Sequence, residues 1–177
     1  MSIIILNILC VFCYKLETHT KIFKIMIDIR SFKFNNNHIP IIPQICNNIG
    51  MYGAGYSGAL SSRWPKIESS YKEWFNIKLE MPHTTGPFQN GENQYVNCGD
   101  ALVVNMIAQN GVRSRYRPIV ISYIDLMACL FKLSKLKFKL SRKFYFAKIG
   151  SGLAGGDWND VKYYINLFIS DEEIIYL

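Results

Sequence analysis

A glycine-rich segment, residues 149–158, carries the clearest chemical signal in the sequence. It reads Ile-Gly-Ser-Gly-Leu-Ala-Gly-Gly-Asp-Trp and contains four glycines. Glycine adopts positive φ angles without strain and lets a backbone approach a ligand closely. The segment follows a predicted strand (144–149) and precedes a predicted helix (Trp158–Phe168). Free amides and the helix dipole favour an anion at such a junction, and phosphate is the first candidate.

A second glycine-rich segment, residues 46–56, has the same setting. It follows an apolar stretch (39–46) that predicts a buried strand, and it leads into a predicted helix over Tyr56–Arg63. Two such turns would both lie at the carboxyl ends of strands, where open α/β sheets bind ligands. Pro40 and Pro43 disfavour a central strand, so we expect the strand to be locally broken or to begin after Pro43.

The other elements also predict an α/β domain. A strand over residues 21–29 contains Asp28, and a helix after Pro65 places Ile67, Tyr71 and Trp74 on one face. A hairpin (93–98 and 101–109), a helix (121–133) and a short final strand (171–177) complete the prediction.

Composition indicates one intracellular domain. The chain has 177 residues, half of them hydrophobic, and a net charge of +7, which suits phosphate-bearing ligands but is more commonly a matter of solubility. Its five cysteines include one close pair, Cys10 and Cys13, with no second pair to complete a zinc site. We expect reduced thiols, a cytoplasmic location and no bound metal.

The N-terminus contains an apolar run, residues 3–12. The run has the length of a signal-peptide core but lacks a basic start and a cleavage site, and it is too short to span a bilayer. An extra strand, a membrane-leaning leader and a non-native extension ahead of Met26 are the three explanations. We expect residues 1–24 to be an appendage to a functional domain over residues 25–177, and no membrane partner.

Four lysines alternate with apolar residues near the middle of the chain: Lys132, Lys135, Lys137 and Lys139. The pattern fits a nucleic-acid face, a membrane surface or the solvated side of a helix that runs into a strand. The solvated face is the commonest outcome, so we expect no nucleic-acid partner.

Taken in order, four motifs resemble the macrodomain family. They occupy residues 47–55, 60–65, 105–111 and 149–158, and the likeness extends from about residue 25 to residue 168. It is closest to single-domain members that bind ADP-ribose or process ADP-ribose-1″-phosphate. The resemblance implies a three-layer α/β fold, with a mixed central sheet flanked by helices and no cofactor.

The resemblance also implies a crevice for ADP-ribose across the strand ends. Asp28 would accept a hydrogen bond from the adenine amino group, which distinguishes adenine from bases that carry a carbonyl there. The first loop would wrap the distal ribose and a phosphate through Asn47, Asn48, Gly50, Gly53, Ala54 and Gly55. The second would bind the diphosphate through its backbone amides, at Gly150, Ser151, Gly152, Leu153, Ala154, Gly155 and Gly156.

The sequence departs from the family pattern at several positions. Ile27 replaces a glycine, Gln44 stands where relatives commonly carry histidine, and Asn48 stands where aspartate is frequent. Branches that hydrolyse ADP-ribosyl-glutamate use a lysine and an aspartate, and the corresponding residues here are Gln109 and Ala154. That mechanism is therefore not supported.

Two functional hypotheses follow from the resemblance. One is hydrolysis at the distal ribose, by an ADP-ribose-1″-phosphate phosphatase or an ADP-ribosyl hydrolase, with loop amides stabilising developing charge. Asn48 would help orient the ribose and a water, and Asp157 would be the candidate base, although capping of the following helix is the favoured role for that aspartate. The other hypothesis is a non-catalytic reader of ADP-ribose, with ADP-ribosylated proteins as a further class of partner.

Two other residues beside the crevice have ordinary alternatives. Cys46 is expected to be a small buried residue. Tyr52 would either lie over the ligand or serve as a packing aromatic.

Overall fold

A mixed five-stranded sheet lies between two pairs of helices in the computed structural model, which describes residues 28–35, 37–80, 88–136 and 142–177. The strands of the described residues are Ile39–Asn47 (β1), Asn93–Asn97 (β2), Leu102–Gln109 (β3), Arg142–Phe146 (β4) and Ile174–Tyr176 (β5). The helices are Tyr56–Arg63 (α1), Lys66–Glu80 (α2), Tyr123–Ser134 (α3) and Trp158–Phe168 (α4). This architecture confirms the predicted three-layer α/β class.

The order of the strands places three carboxyl ends together. The sheet runs β2-β3-β1-β4-β5, and β1 is parallel to both β3 and β4. Strand β2 pairs antiparallel with β3, which confirms the predicted hairpin, and β5 pairs parallel with β4. The segments that leave β1, β3 and β4 therefore meet at one edge of the sheet.

Alternating side chains of the strands fill two cores. Ile41 contributes to a cluster with α3 and α4, whereas its neighbour Ile42 packs with Leu60 of α1 and Ile67 of α2. Val103 and Val104 divide in the same way. Successive side chains of these strands point to opposite faces of the sheet, and both faces are buried. Helices α1 and α2 therefore cover one face, and α3 and α4 cover the other.

The predicted strand over residues 39–46 is present as β1, but the expected break or later start was wrong, because the strand runs unbroken through both prolines. Its pairing with β3 begins at Ile41, one residue after Pro40, and its pairing with β4 ends at Ile41, two residues before Pro43. Each proline thus lies outside one of the two ladders. A residue in a parallel strand directs its N–H toward only one of the two neighbouring strands. A proline is therefore tolerated where the strand on that side forms no hydrogen bond with it.

Three predicted boundaries were also wrong. Helix α3 begins at Tyr123 rather than at Ile121, because Ser122 caps it by accepting a hydrogen bond from the Asp125 amide. Strand β4 covers Arg142–Phe146, and Ile149 lies in the turn that follows. The final segment begins with a short 3-10 turn, Asp171–Glu173, before β5. Hydrophobic spacing does not reveal these caps and turns.

Several predictions fall outside the described residues. These are the N-terminal run, residues 21–27 of the first predicted strand, and Lys137 and Lys139. Asp28 and Ile29 are described and begin a turn, in which the Ser31 amide donates to the Asp28 carbonyl at 3.1 Å. Within the described ranges, no helix is long and apolar enough to cross a membrane.

Candidate functional site

The two glycine-rich segments line one crevice at the carboxyl edge of the sheet. The crevice has a volume of about 540 Å³, within the usual range for small-molecule sites. Its walls come from the end of β1, the loop after it, the start of α1, the end of β3 and the loop after β4. The edge at which the parallel strands end is therefore also the edge with a cavity.

The loop after β4 offers a run of free backbone amides. The N–H groups of residues 150–154 donate no hydrogen bond to any described residue. Four of these five residues line the crevice: Gly150, Gly152, Leu153 and Ala154. Consecutive unpaired amides beside a cavity form a site for an anion with several acceptor oxygens.

Contacts with the segment before α3 hold this loop in place. The amides of Val120 and Ile121 both donate to the Ala154 carbonyl, at 3.0 and 3.2 Å. Gly155 has a φ of +73°, and a Cβ atom there would lie 2.2 Å from the Pro118 carbonyl oxygen. Only glycine fits this close approach without moving the backbone.

The N-terminus of α1 faces the same crevice. Gly55 occupies the N-cap position with a φ of 62°, and no side chain caps the helix. Gly55, Tyr56 and Ser57 line the cavity. The unsatisfied amides and the dipole of α1 thus add to the positive potential from the loop opposite.

Asn47 and Asn48 organise loops with their side chains. The Asn47 carboxamide accepts from the amides of Ile49 and Met51, both at 3.1 Å, and donates to the Met51 carbonyl. The Asn48 side chain accepts from the Gly111 amide at 2.8 Å and lies in a neighbouring cavity of about 640 Å³. Asn47 lines the main crevice, but its side-chain oxygen already has two donors from its own loop.

The described residues that line the crevice include two cations, Arg113 and Lys148, and no aspartate, glutamate or histidine. Burial raises the pKa of the Cys46 thiol and of the Tyr52 and Tyr56 hydroxyls, so these groups stay neutral at ordinary pH. Elsewhere in the described residues, no group of three His, Cys, Asp or Glu side chains could hold a metal ion.

Two buried polar atoms of crevice residues have no hydrogen-bond partner. They are Oε1 of Gln44, a residue only 1% exposed, and the hydroxyl of Tyr56. Leaving a buried polar atom unpaired costs roughly 1–3 kcal/mol, so such atoms commonly form a hydrogen bond with a ligand or with water.

The predicted site residues divide into two groups. Seven of them line the crevice: Asn47, Ala54, Gly55, Gly150, Gly152, Leu153 and Ala154. The remaining predicted loop residues do not line the crevice. Asn48 lines the adjacent cavity, and the others shape the turns: Gly50, Gly53, Ser151, Gly155 and Gly156. Gln109 and Ala154 stand where some members of the family resembled have a lysine and an aspartate. Both residues line the crevice, and neither side chain can act as a base.

The two predicted carboxylates lie outside the crevice lining. Asp28 is exposed and forms an ion pair with Arg30 at 2.7 Å, and hydrogen bonds from Arg30 lower the pKa of the carboxyl. Asp157 caps α4 by accepting a hydrogen bond from the Asn159 amide at 2.7 Å, which confirms the favoured interpretation.

Sequence reasoning missed Arg113 as a crevice residue. Arg113, Arg115 and Arg117 were visible as a basic cluster after β3, but only the fold shows that Arg113 reaches the crevice wall. The contribution of Tyr56 was missed as well. Its position at the first turn of α1 was the available signal.

Comparison with solved structures identifies the class of fold. The chain is similar to a protein of unknown function from Bacteroides thetaiotaomicron, with 30% identity over 78% of this chain and 85% of the other, at a TM-score of 0.67. It is similar to a macrodomain protein from Streptomyces coelicolor, with 26% identity over 81% and 89% of the two chains, at a TM-score of 0.64. No family model and no curated protein matches the sequence.

A more distant likeness includes a ligand. Thermosipho africanus DarTG, solved in complex with ADP-ribose, matches 77% of this chain with 36% of its own length, at 11% identity and a TM-score of 0.57. The mixed sheet between helix pairs and the crevice at its carboxyl edge define a three-layer α/β domain. These likenesses show that the chain has the macrodomain fold, which confirms the resemblance of its motifs.

Proposed function

We propose that the crevice binds ADP-ribose or a derivative of it. The observation that carries the proposal is the run of unpaired amides over residues 150–154, in a cavity whose described lining includes two cations and no carboxylate. A diphosphate has several acceptor oxygens and negative charge, and both are matched by these groups. The ADP-ribose complex of a protein with the same fold supports the choice of ligand.

Calorimetric titration with ADP-ribose tests this proposal. We expect saturable binding with one site per chain, and weaker binding of adenosine, which lacks the diphosphate. The proposal would be contradicted if about 1 mM ADP-ribose gave no heat of binding and showed no competition with adenosine. A Kd of about 1 mM corresponds to a binding free energy of about −4 kcal/mol.

Arg113 is expected to strengthen binding through its charge. Replacing Arg113 with glutamine should weaken ADP-ribose binding by about threefold to tenfold, since a charge-assisted contact contributes about 1 kcal/mol at a partly exposed site. Arg115→Gln is the matched control, because Arg115 has the same charge in the same loop but does not line the crevice. Equal losses in the two variants would show that only the overall charge matters.

Binding is expected to be independent of pH between about 6 and 8. The described residues of the crevice include no histidine or carboxylate. The Cys46 thiol and the Tyr52 and Tyr56 hydroxyls have a raised pKa, so they remain protonated throughout this range. The thiol and the hydroxyls would lose their protons only well above this pH range. Titrations at several pH values check the prediction, and a change in affinity with a midpoint near neutrality would contradict it.

Asp28 is proposed to accept the adenine amino group, although the carboxylate is already paired with Arg30. Asp28→Asn should reduce the preference for ADP-ribose over its hypoxanthine analogue, because an ionised carboxylate accepts from the amino group but not from a carbonyl. Arg30→Gln is the control for loss of the ion pair. An unchanged preference in Asp28→Asn would remove Asp28 from the site.

Hydrolysis at the distal ribose is the second candidate function. The unpaired loop amides are placed so that they could stabilise developing negative charge. No carboxylate or imidazole is among the described residues that line the crevice, so a base would have to come from the ligand's own phosphate or from outside this lining. Asn48 and Asp157 remain predicted participants, to be tested as Asn48→Ala and Asp157→Asn.

Phosphate release from ADP-ribose-1″-phosphate separates an enzyme from a reader. An enzyme would release phosphate in proportion to protein concentration, and Asn48→Ala would lower the rate more than the affinity. An ADP-ribosylated protein should be assayed in parallel, since removal of the adduct is the alternative reaction. Tight ADP-ribose binding with no turnover of either substrate would establish a reader.

A further inference from the structure

Three side-chain amides form a continuous row across adjacent strands. Gln94 of β2, Asn105 of β3 and Gln44 of β1 lie directly opposite one another in the sheet register. Asn105 donates to Gln94 Oε1 at 2.8 Å, and Gln44 donates to Asn105 Oδ1 at 2.5 Å. Gln44 and Asn105 are both almost completely buried. The row begins beside α2 and ends in the crevice wall.

One backbone carbonyl fixes the direction of every amide in the row. Gln94 Nε2 donates to the Ser70 carbonyl at 2.8 Å, and a carbonyl can only accept. Gln94 must therefore present its oxygen to Asn105, and Asn105 must present its oxygen to Gln44. The Gln44 side chain is left with its Nε2 inside the row and its Oε1 outside it.

The far end of the row determines the role of a tyrosine. Gln44 Nε2 uses its second hydrogen to donate to the Tyr52 hydroxyl. The hydroxyl oxygen is thus already an acceptor, and its own hydrogen is donated to no described residue. Gln44 Oε1 is buried and also unpartnered. Both residues line the crevice, and their hydrogen bond to each other keeps this donor and this buried acceptor close together in its wall.

We propose that the amide row fixes the Tyr52 hydroxyl as a donor, and Gln44 Oε1 as an acceptor, for a hydroxyl of the distal sugar of the bound ligand. This inference rests on the proposed function, ADP-ribose binding. A hydroxyl group both donates and accepts, so it satisfies the two atoms together. A phosphate oxygen only accepts and would leave Gln44 Oε1 unpaired at a cost. Tyr52 and Gln44 determine specificity, whereas Gln94 and Asn105 are positioning residues.

Comparing two ligands isolates the sugar contact. ADP-ribose carries the distal sugar and ADP does not, so Tyr52→Phe should weaken ADP-ribose binding by about fivefold and leave ADP binding unchanged. ADP is measured by competition against ADP-ribose so that weak binding is still quantified. Tyr163→Phe is the matched control, since Tyr163 is exposed on α4 and does not line the crevice.

A double variant tests the positioning role of the row. In Gln94→Leu, Asn105 loses its acceptor, so the row can reverse and Gln44 can accept from Tyr52. The affinity of this variant for ADP-ribose should fall by about the same factor as in Tyr52→Phe, and its affinity for ADP should be unchanged. Adding Tyr52→Phe to Gln94→Leu should cause no further loss, because the donor is already occupied. A merely structural role for Gln94 would weaken both ligands and add to the effect of Tyr52→Phe.

The outcomes separate this inference from the function on which it rests. Equal losses of affinity for ADP and ADP-ribose in Tyr52→Phe would assign the hydroxyl to the adenosine or the diphosphate and overturn the contact with the distal sugar. Unchanged affinity for both ligands would overturn it as well. Failure of the unaltered protein to bind ADP-ribose would instead overturn the proposed function.

Discussion

Gly152→Val is expected to abolish measurable ADP-ribose binding while the protein stays folded. Gly152 lines the crevice, and no heavy atom lies within 4 Å of the position that a Cβ would occupy. Its φ is outside the positive range, so valine meets no backbone strain. The isopropyl group would take space needed by the ligand, and an overlap that costs about 3 kcal/mol lowers affinity by more than about a hundredfold, which puts binding beyond the measurable range.

Calorimetry with ADP-ribose measures this effect, and thermal unfolding shows whether the fold is intact. Ser170→Val is the matched control, because Ser170 is an exposed residue far from the loop in sequence whose side chain makes no capping hydrogen bond. Unchanged affinity in folded Gly152→Val would show that the loop over residues 150–154 does not bind the ligand.

Gly155→Ala, only three residues away, should act on stability instead. Alanine would place a Cβ 2.2 Å from the Pro118 carbonyl oxygen at a φ of +73°. The loop or the segment before α3 must then move, which disturbs the hydrogen bonds from Val120 and Ile121 to Ala154. We expect the free energy of unfolding to fall by about 2–4 kcal/mol, the range of strained or overpacked substitutions.

Urea unfolding of Gly155→Ala and Gly152→Ala compares the same side chain at two positions of one loop. Gly152→Ala should change the free energy of unfolding by less than about 0.5 kcal/mol, because its Cβ would lie in open space. Similar destabilisation by both substitutions would mean that the loop is generally intolerant of side chains. Similar stability of both would mean that the contact with Pro118 is not tight.

Local sequence patterns predicted the parts of the site that depend on backbone conformation. The glycines of both loops indicated turns at strand ends, and the helices α1 and α4 begin and end at the predicted residues. The preference of aspartate for N-cap positions correctly identified the role of Asp157. Such features depend on a few neighbouring residues and are therefore visible in the sequence.

Features that depend on strand register could not be predicted in the same way. Pro40 and Pro43 are tolerated because two ladders happen to end beside them, which requires knowledge of both neighbouring strands. The row from Gln94 to Gln44 exists only because three residues distant in sequence share one register. Arg113 lines the crevice, and the loop after β3 is held beside the end of β1 by the hydrogen bond from the Gly111 amide to Asn48.

Backbone amide resonances test the central claim most directly. A two-dimensional ¹H–¹⁵N NMR titration with ADP-ribose should shift the amide signals of residues 150–154, because diphosphate oxygens would accept hydrogen bonds from N–H groups that are now unpaired. Signals of the exposed α4 residue Tyr163 should remain in place. Saturable shifts confined to other surfaces, or no shifts in residues 150–154 at saturating ligand, would contradict the assignment of this loop as the diphosphate site.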